Sequence, residues 1–275
     1  MRGMRNLHLI ALAVLLVPAL AVAQPAKPAK TKLTWYGHAA FRVDTPSGKV
    51  ILIDPWLTNP ANPGGKDELA KLTAADLILV THGHADHVGD AVAIGKKTKA
   101  KLVSTFDLGR AMVNELGFPK DQIGFDTQGN FGGDLTLLDG EVTIRFVPAV
   151  HGSTVGKDEH SVKAAGNPGG FVVVVKGGPV LYHTGDTDVF GDMALIGQDF
   201  KVTHMLACIG GHFTMGPAAA AHAVKLVKPR NVVPMHFGTF PVLAGTVDQF
   251  RAALRKKGAG ATKVMALEIG KTVEL

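Results

Sequence analysis

The chain has 275 residues, 46% of them hydrophobic, and a formal net charge of +6. Its one cysteine, Cys208, cannot form an internal disulfide, which excludes a small scaffold held together by disulfides. The basic runs at 96–101 and 255–257 are not interleaved with aromatic residues. They predict solvated helix ends and no nucleic-acid partner.

The first residues carry the pattern of a secretory signal peptide. Arg2 and Arg5 precede an apolar stretch over 7–22, and Ala21-Val22-Ala23 has the small-x-small form of a cleavage site. This pattern predicts a signal peptide over 1–23 and export to the periplasm or the medium. The alternative is a membrane anchor, which is disfavoured because the stretch is short and Pro18 interrupts it.

Residues 24–31 alternate Pro, Ala and Lys, which is typical of a flexible linker. The remaining residues, 32–275, show no second linker and no internal repeat. Their number suits one domain. No later segment is long and apolar enough to cross a bilayer, so we expect no stable membrane insertion after cleavage.

Two series of predicted strands and helices follow the linker. In the first, β-rich runs between turn signals predict strands, and Gly117 and Pro119 end a helix. These elements are strands at 32–36, 40–44, 50–54, 76–80 and 101–104, helices from 86 or 87 to about 96 and at 107–116, and a hairpin of 134–138 with 141–147.

The second series repeats this pattern. Its strands are predicted at 171–176, 180–183, 202–209, 231–235, 263–267 and 272–274, and its helices at 193–196, 217–227 and 247–255. Because each series supplies a sheet and then helices, we predict two packed sheets with helices on the outer faces. The fold class is therefore an α/β four-layer sandwich.

The stretch Thr81-His82-Gly83-His84-Ala85-Asp86-His87 follows an apolar strand and predicts a metal site. Imidazole is the commonest metal ligand in proteins. His82 and His84 are two residues apart and point the same way on an extended segment. Asp86 and His87 follow where the chain turns, so they can face a second ion. The alternative is a solvated turn rich in histidine, which so ordered a cluster disfavours.

Three further candidate ligands stand at the ends of other strands: His151, Asp186 and His236. Loops at strand ends are where site residues gather on a rigid scaffold. A single histidine at such a position is more often structural. Together with the four ligands of the first motif, these residues supply the seven side chains that two adjacent metal ions need.

On these motifs the chain resembles the metallo-β-lactamase superfamily over essentially its whole mature length. The resemblance implies an αβ/βα sandwich with a dinuclear site at the edge between the sheets. It implies that His82, His84 and His151 bind one metal ion and that Asp86, His87 and His236 bind the other. Asp186, within Thr184-Gly185-Asp186-Thr187, is then the bridge between both ions.

Several motifs are similar to one branch, the metal-dependent hydrolases grouped with L-ascorbate-6-phosphate lactonase-like proteins. N-acyl-phosphatidylethanolamine phospholipase D is a more distant relative. Most members are expected without a signal peptide, so the exported form is a departure. The motifs are Trp35-Tyr36-Gly37-His38-Ala39-Ala40-Phe41, Asp54-Pro55-Trp56, residues 182–187, Gly211-His212-Phe213-Thr214-Met215-Gly216 and residues 234–238.

Four other residues are candidates for roles around the metals. We expect Asp54 to hold a ligand histidine by a hydrogen bond and His183 to support Asp186. For His38 a supporting or substrate-binding role and a structural role both stay open. His212 is a candidate to contact the substrate or donate a proton. Cys208 lies in an apolar run and is predicted to be a small buried hydrophobe, with a metal thiolate as the alternative.

The chemistry that follows is metal-dependent hydrolysis. Imidazole and carboxylate ligands suit Zn²⁺, with Mn²⁺ or Fe²⁺ as alternatives. Two ions about 3.5–4 Å apart share a water and lower its pKa, and the resulting hydroxide attacks an ester, lactone or phosphodiester of a small-molecule substrate. Asp86 is a candidate to orient this nucleophile and carry its proton.

Two other functions remain alternatives. One is a non-hydrolytic metal-binding or redox protein on the same scaffold, although the glutamate ligand and flavin domain of flavodiiron proteins are not visible. The other is a catalytically inactive relative, which the complete ligand set disfavours. A β-lactamase role is disfavoured because zinc β-lactamases of the commonest type carry a cysteine where this chain has Asp186.

Overall fold

The computed structural model describes residues 29–156, 158 and 160–275. The predicted signal peptide, and most of the predicted linker, lie outside the described residues. Thr31, the last residue of that linker, is buried, and its carbonyl accepts a hydrogen bond from the Leu275 N–H.

The described residues contain sixteen strands and seven α-helices. The strands are β1 Lys32–Trp35, β2 Phe41–Asp44, β3 Val50–Ile53, β4 Leu77–Leu79, β5 Lys101–Thr105, β6 Gln128–Gly129, β7 Asp134–Leu137, β8 Val142–Pro148, β9 Thr154–Val155, β10 Lys163–Ala164, β11 Gly169–Val175, β12 Val180–His183, β13 His204–Cys208, β14 Asn231–Met235, β15 Lys263–Val264 and β16 Thr272–Glu274. The helices are α1 Gly65–Lys71, α2 Ala85–Val88, α3 Ala91–Thr98, α4 Phe106–Leu116, α5 Met193–Phe200, α6 Pro217–Val227 and α7 Val247–Lys257, with a 3₁₀ turn at Lys120–Gln122.

Two seven-stranded sheets form the centre of the fold. The first has the order β16-β1-β2-β3-β4-β5-β6 and the second the order β15-β14-β13-β12-β11-β8-β7. In each sheet the pairs at one side are antiparallel and the three pairs at the other side are parallel. The strands β9 and β10 form a separate two-stranded ribbon.

Strand alternation explains why each sheet is covered on both faces. Along β3, Ile51 and Ile53 belong to the core between the sheets, whereas Val50 and Leu52 belong to a second core under the helices of the first sheet. Successive side chains of a strand point to opposite faces, so a fully apolar strand predicts this double burial. Each fully buried aliphatic side chain contributes about 1.5–3 kcal/mol to the free energy of unfolding, relative to the same side chain exposed.

The helices complete the outer layers. Helix α4 packs on β5 of the first sheet, while α6 packs on β13 of the second sheet and contacts α5 and α7. These layers form the predicted four-layer αβ/βα sandwich. Within the described part of the chain, no helix combines the length and the apolar character needed to cross a membrane.

The structure corrects the division into two sequential halves. The hairpin of β7 and β8, predicted with the first series, pairs with β11 in the second sheet. The last strand, β16, predicted with the second series, pairs with β1 in the first sheet. Local patterns predict strands, but they do not predict which sheet a strand joins. That depends on which sheet edge is still unpaired, and the sequence of a single segment does not contain this information.

The single helix predicted from residue 86 or 87 to 96 is wrong: the chain forms α2 and α3 with a break at Gly89. Gly89 has φ of 44°, and a Cβ at this position would lie 2.5 Å from the Trp56 Cα. Only glycine tolerates this close backbone approach in the left-handed region. Helix α1, the strand β6 and the ribbon of β9 and β10 were not predicted, since they are short or lack clear periodicity.

Candidate metal centre

The seven predicted ligands lie together at one edge of the sandwich. The His82–His87 motif follows β4, and His151, Asp186 and His236 follow β8, β12 and β14. Strand ends from both sheets therefore meet at this edge. Potential ligand atoms lie close together in several groups, two of which share no residue. We call these two the three-histidine set (His82, His84 and His151) and the mixed set (His38, Asp86, His87 and His236).

The three-histidine set has the spacing of a metal site. His84 Nδ1 lies 3.0 Å from His82 Nε2 and 3.3 Å from His151 Nε2. Nitrogens bound to one tetrahedral Zn²⁺ at 2.0–2.1 Å are separated by about 3.3 Å. The three imidazoles thus fit around one ion without rearrangement.

Asp186 stands between the two sets. Its Oδ2 lies 3.0 Å from His236 Nε2 and 3.6 Å from His151 Nε2, and its Oδ1 lies 3.2 Å from His87 Nε2. It also forms a third close group with His82 and His87. The carboxylate therefore reaches both sets, as a bridging ligand must.

Several ligand atoms are buried and lack hydrogen-bond partners among the described residues. They are His87 Nε2, Asp186 Oδ1 and His236 Nε2. An unpartnered buried polar atom costs about 1–3 kcal/mol, so folded proteins rarely keep several in one place. Their convergence fits a bound cation, which would satisfy these atoms together.

Hydrogen bonds to the Nδ1 atoms of His82 and His87 set the orientation of these two imidazoles. Asp54, fully buried with φ of 44°, accepts hydrogen bonds from the Thr81 N–H at 2.8 Å and from the Thr81 hydroxyl at 2.7 Å. Its Oδ2 also lies 2.7 Å from His87 Nδ1. The Thr81 Oγ1 lies 3.0 Å from His82 Nδ1. Asp54 thus leaves the Nε2 atoms of His82 and His87 free to bind metal.

His38 lies in a tight turn with φ of 50° and contacts the mixed set directly. Its Nε2 lies 2.9 Å from Asp86 Oδ2, and its Nδ1 lies 2.9 Å from Thr239 Oγ1. Its carbonyl accepts the His236 N–H at 3.0 Å. Both the side chain and the backbone of His38 therefore hold residues of the mixed set in place.

His183 connects the two sheets below the site. Its Nε2 donates to the Ala39 carbonyl at 3.0 Å, and its Nδ1 accepts the Gly185 N–H at 3.1 Å. Burial lowers the pKa of His183, which keeps it neutral in this tautomer. The bond to Gly185 fixes the turn that carries Asp186.

The protonation of the imidazoles differs between the sets. Burial lowers the pKa of His82 well below its usual value and also lowers the pKa values of His84 and His151. Neutral imidazole is the form that binds metal. For His236, burial opposes the charge, but Asp186 outweighs it and raises the pKa to about 8. The pKa of His87 is raised in the same way.

The carboxylates of the site are held in the ionised form. Burial would favour a neutral carboxyl, but His87 and His236 hold the pKa of Asp186 well below its usual range. The same opposition of burial and His87 lowers the pKa of Asp86. The side chain of Asp86 is 29% exposed, against 3% for Asp186, so it is the acidic group that solvent can reach.

The structure does not bring His212 into this cluster. Its side chain is exposed, its backbone has φ of 62°, and its ring lies 4.4 Å from that of Phe213. Cys208 is fully buried, 3.6 Å from the Thr187 carbonyl, and is not part of any ligand group within the described residues. His160 and His222, which the sequence assigns no site role, are exposed.

Sequence reasoning missed two polar residues that hold the site. Thr81 opens the predicted metal motif and closely follows β4, so its position in the sequence is a usable signal for a role at the site. Thr239 lies in a loop and contacts His38 across 201 positions of sequence. No local pattern marks such a residue.

Comparisons with known proteins identify the family of this chain. The family model described as a beta-lactamase superfamily domain matches residues 32–236. The chain belongs to the metallo-β-lactamase superfamily. The family match begins at residue 32, where the predicted mature domain begins.

Relatives in this superfamily are similar over most of their length. A UPF0173 metal-dependent hydrolase of Thermodesulfovibrio yellowstonii is 54% identical over 247 residues, which cover 89% of this chain and 92% of that protein. One from Anaeromyxobacter dehalogenans is 56% identical over 254 residues, covering 91% and 89%. By family, this chain is a metal-dependent hydrolase.

A solved structure shows the same fold. Igni18, a metallo hydrolase from the archaeon Ignicoccus hospitalis, superposes with a TM-score of 0.76 at 36% identity, covering 90% of this chain and 99% of that one. The predicted resemblance to metal-dependent hydrolases of this superfamily is thereby confirmed.

Proposed function

We propose that this metallo-β-lactamase-fold protein hydrolyses an ester, lactone or phosphodiester bond of a small molecule at a centre of two divalent cations. The observation that carries the proposal is the position of Asp186 between the three-histidine set and the mixed set, with unpartnered buried ligand atoms around it.

In this proposal each side chain has a defined task. His82, His84 and His151 would hold one cation, Asp86, His87 and His236 would hold the other, and Asp186 would contribute to both sites. Zn²⁺ suits these nitrogen and oxygen donors, with Mn²⁺ or Fe²⁺ as alternatives. When bound, the pair of cations supplies Lewis acidity that ionises water near neutral pH and polarises the scissile bond.

Asp86 is the residue that handles the attacking water. Its Oδ2 is held by His38, so its other oxygen is left to accept a hydrogen bond from water. Hydrolysis forms a bond from the water oxygen to the carbonyl carbon or phosphorus and breaks the bond to the leaving oxygen. One water proton passes to that leaving oxygen, and Asp86, partly exposed, is placed to relay it.

His212 remains a candidate to contact the bound substrate or to pass this proton from Asp86 to the leaving oxygen. Its loop is connected to the site because Met215 donates to the Thr187 carbonyl, one residue after Asp186. A productive role requires the exposed ring to turn toward the bound substrate. Its removal should therefore slow turnover and leave metal content unchanged.

The proposal is tested by removing and restoring the metal. Chelator-treated protein is assayed on p-nitrophenyl esters, lactones and bis-p-nitrophenyl phosphate, and then again after addition of Zn²⁺ or Mn²⁺. We expect activity to disappear and return, with circular dichroism unchanged throughout. Unchanged turnover after complete demetallation would contradict the proposal. A chromogenic β-lactam serves as the negative control, for which we expect no turnover.

We also propose that the mature protein is exported after cleavage following Ala23. The support is the sequence pattern over 1–23 alone. N-terminal sequencing of protein from the periplasm or medium should begin at Gln24. Full-length protein confined to the cytoplasm would contradict export and would leave the proposed chemistry untouched.

A further inference from the structure

A cavity of about 610 Å³ lies beside the candidate metal centre and shares a wall with it. Gly83 and His84 of the metal motif line it. His84 directs Nδ1 toward His82 and His151, so its Nε2 edge faces away from the ligand cluster. His84 is therefore shared by the cavity lining and the three-histidine set.

The opposite walls of this cavity are mostly apolar. Val88 and Val92 come from α2 and α3, Leu116 is the last residue of α4, and Val162 directly precedes β10. Val162 is 54% exposed, so its apolar side chain is open to solvent. Binding of a hydrocarbon group here is favourable, because it displaces the water that covers these apolar side chains.

The charges around the cavity disfavour an anionic occupant. Glu115, which lines it, is paired with Lys163 at a distance of 2.8 Å. The exposed Asp158 adds a negative charge. A carboxylate or phosphate would meet repulsion here, whereas an uncharged chain or ring would not.

The packing of the ribbon fixes the cavity relative to the metals. A Cβ on Gly83 would lie 2.7 Å from the Thr154 carbonyl oxygen and 2.8 Å from Val155 Cγ1, so the ribbon rests directly on the motif. Ser153 Oγ accepts the Gly83 N–H at 3.2 Å. The wall that carries Val162 is thus tied to the segment that carries His82 and His84.

We propose that this cavity binds an uncharged hydrocarbon portion of the substrate, on one side of the bond that is cleaved. The inference rests on the proposed function and narrows its substrate class to esters, lactones or phosphodiesters that carry a neutral alkyl or aryl group. The volume lies within the range of small-molecule sites, about 300–1,000 Å³.

The first test measures binding without catalysis. The probe is N-phenyl-1-naphthylamine, a neutral aromatic molecule whose fluorescence increases in apolar surroundings. We expect saturable binding to the wild-type protein, with or without metal. Val92→Trp, which fills the cavity, and Val162→Glu, which charges its exposed wall, should each weaken binding at least tenfold. Leu195→Trp, an exposed position on α5 in the opposite helix layer, is the matched control.

The second test measures selectivity. For p-nitrophenyl acetate, butyrate and hexanoate, kcat/KM of the metal-loaded wild-type protein should rise at least about tenfold along the series, since each buried methylene favours binding. In Val92→Trp and Val162→Glu this rise of kcat/KM with chain length should disappear, whereas Leu195→Trp should retain it. Metal content should be the same in all four proteins.

The two proposals fail in different ways. Absence of saturable probe binding, or equal binding by wild type and both cavity variants, would overturn the cavity assignment, as would a flat chain-length series. Absence of all hydrolysis together with probe binding that both variants abolish would support the cavity and overturn the proposed function instead.

Discussion

The three-histidine set and the mixed set sit a few ångströms apart but are built differently. The first consists of neutral imidazoles, of which His84 and His151 are partly exposed. The second combines the Asp86 carboxylate with His87 and His236, whose pKa values are raised by nearby carboxylates, and with His38, which contacts Asp86. We infer that the mixed set compensates more cation charge, whereas the three-histidine set depends on Asp186 for its only negative ligand.

Of the substitutions that test this difference between the sets, Asp186→Ala should have the largest effect on metal content and turnover. Because Asp186 reaches both sets, its loss should reduce bound metal to well under one ion per chain and abolish turnover. Elemental analysis of the purified protein measures this directly. His212→Ala should keep the wild-type metal content, and equal metal content in the two variants would mean that the ligand assignment is wrong.

Asp54→Asn should have the next largest effect, because Asp54 holds His87 directly and His82 through Thr81. Loss of such a supporting carboxylate typically costs about 10- to 100-fold in metal affinity or activity. Competition with a chelating dye measures the affinity. Asp134→Asn, which removes an exposed ion pair with Arg145, is the control. An effect confined to one bound ion would argue against Asp54 acting on both sets.

His38→Ala should affect the mixed set alone, because His38 belongs to that set and not to the three-histidine set. We expect up to about tenfold weaker binding of one ion of the pair and unchanged binding of the other. His38→Gln, whose amide can still donate to Asp86, should recover part of the affinity. Equal losses at both ions, or no rescue by glutamine, would assign His38 a general structural role.

The smallest effect is expected at Cys208, which lies outside both sets. Burial raises the pKa of its thiol to about 11, so the thiol stays protonated at neutral and mildly alkaline pH. Because the thiolate is the reactive form, a disulfide reagent at pH 8 should label the native protein slowly and the unfolded protein quickly. Fast labelling of native protein, or metal loss in Cys208→Ala, would revive the thiolate alternative.

The sequence predicts most strands and helices of the fold, and the seven side chains that it names as metal ligands lie close together in the structure. It succeeds because apolar strands are followed at once by polar ligands, as in His82, Asp186 and His236, and packing alone does not favour such an order. It fails where one segment depends on a distant one. The pairing of β16 with β1, the break at Gly89 against Trp56, and the contact of Thr239 with His38 belong to this class.

The position of β16 has a consequence for how the chain folds. Thr272–Glu274 forms the outer strand of the first sheet beside Lys32–Trp35, so the beginning and the end of the domain are neighbours. This edge stays unpaired until residues 272–274 have joined the sheet, and unpaired strand edges invite aggregation. Removal of residues 272–275 should therefore lower the yield of soluble protein sharply, while a tag attached after a short spacer should be tolerated.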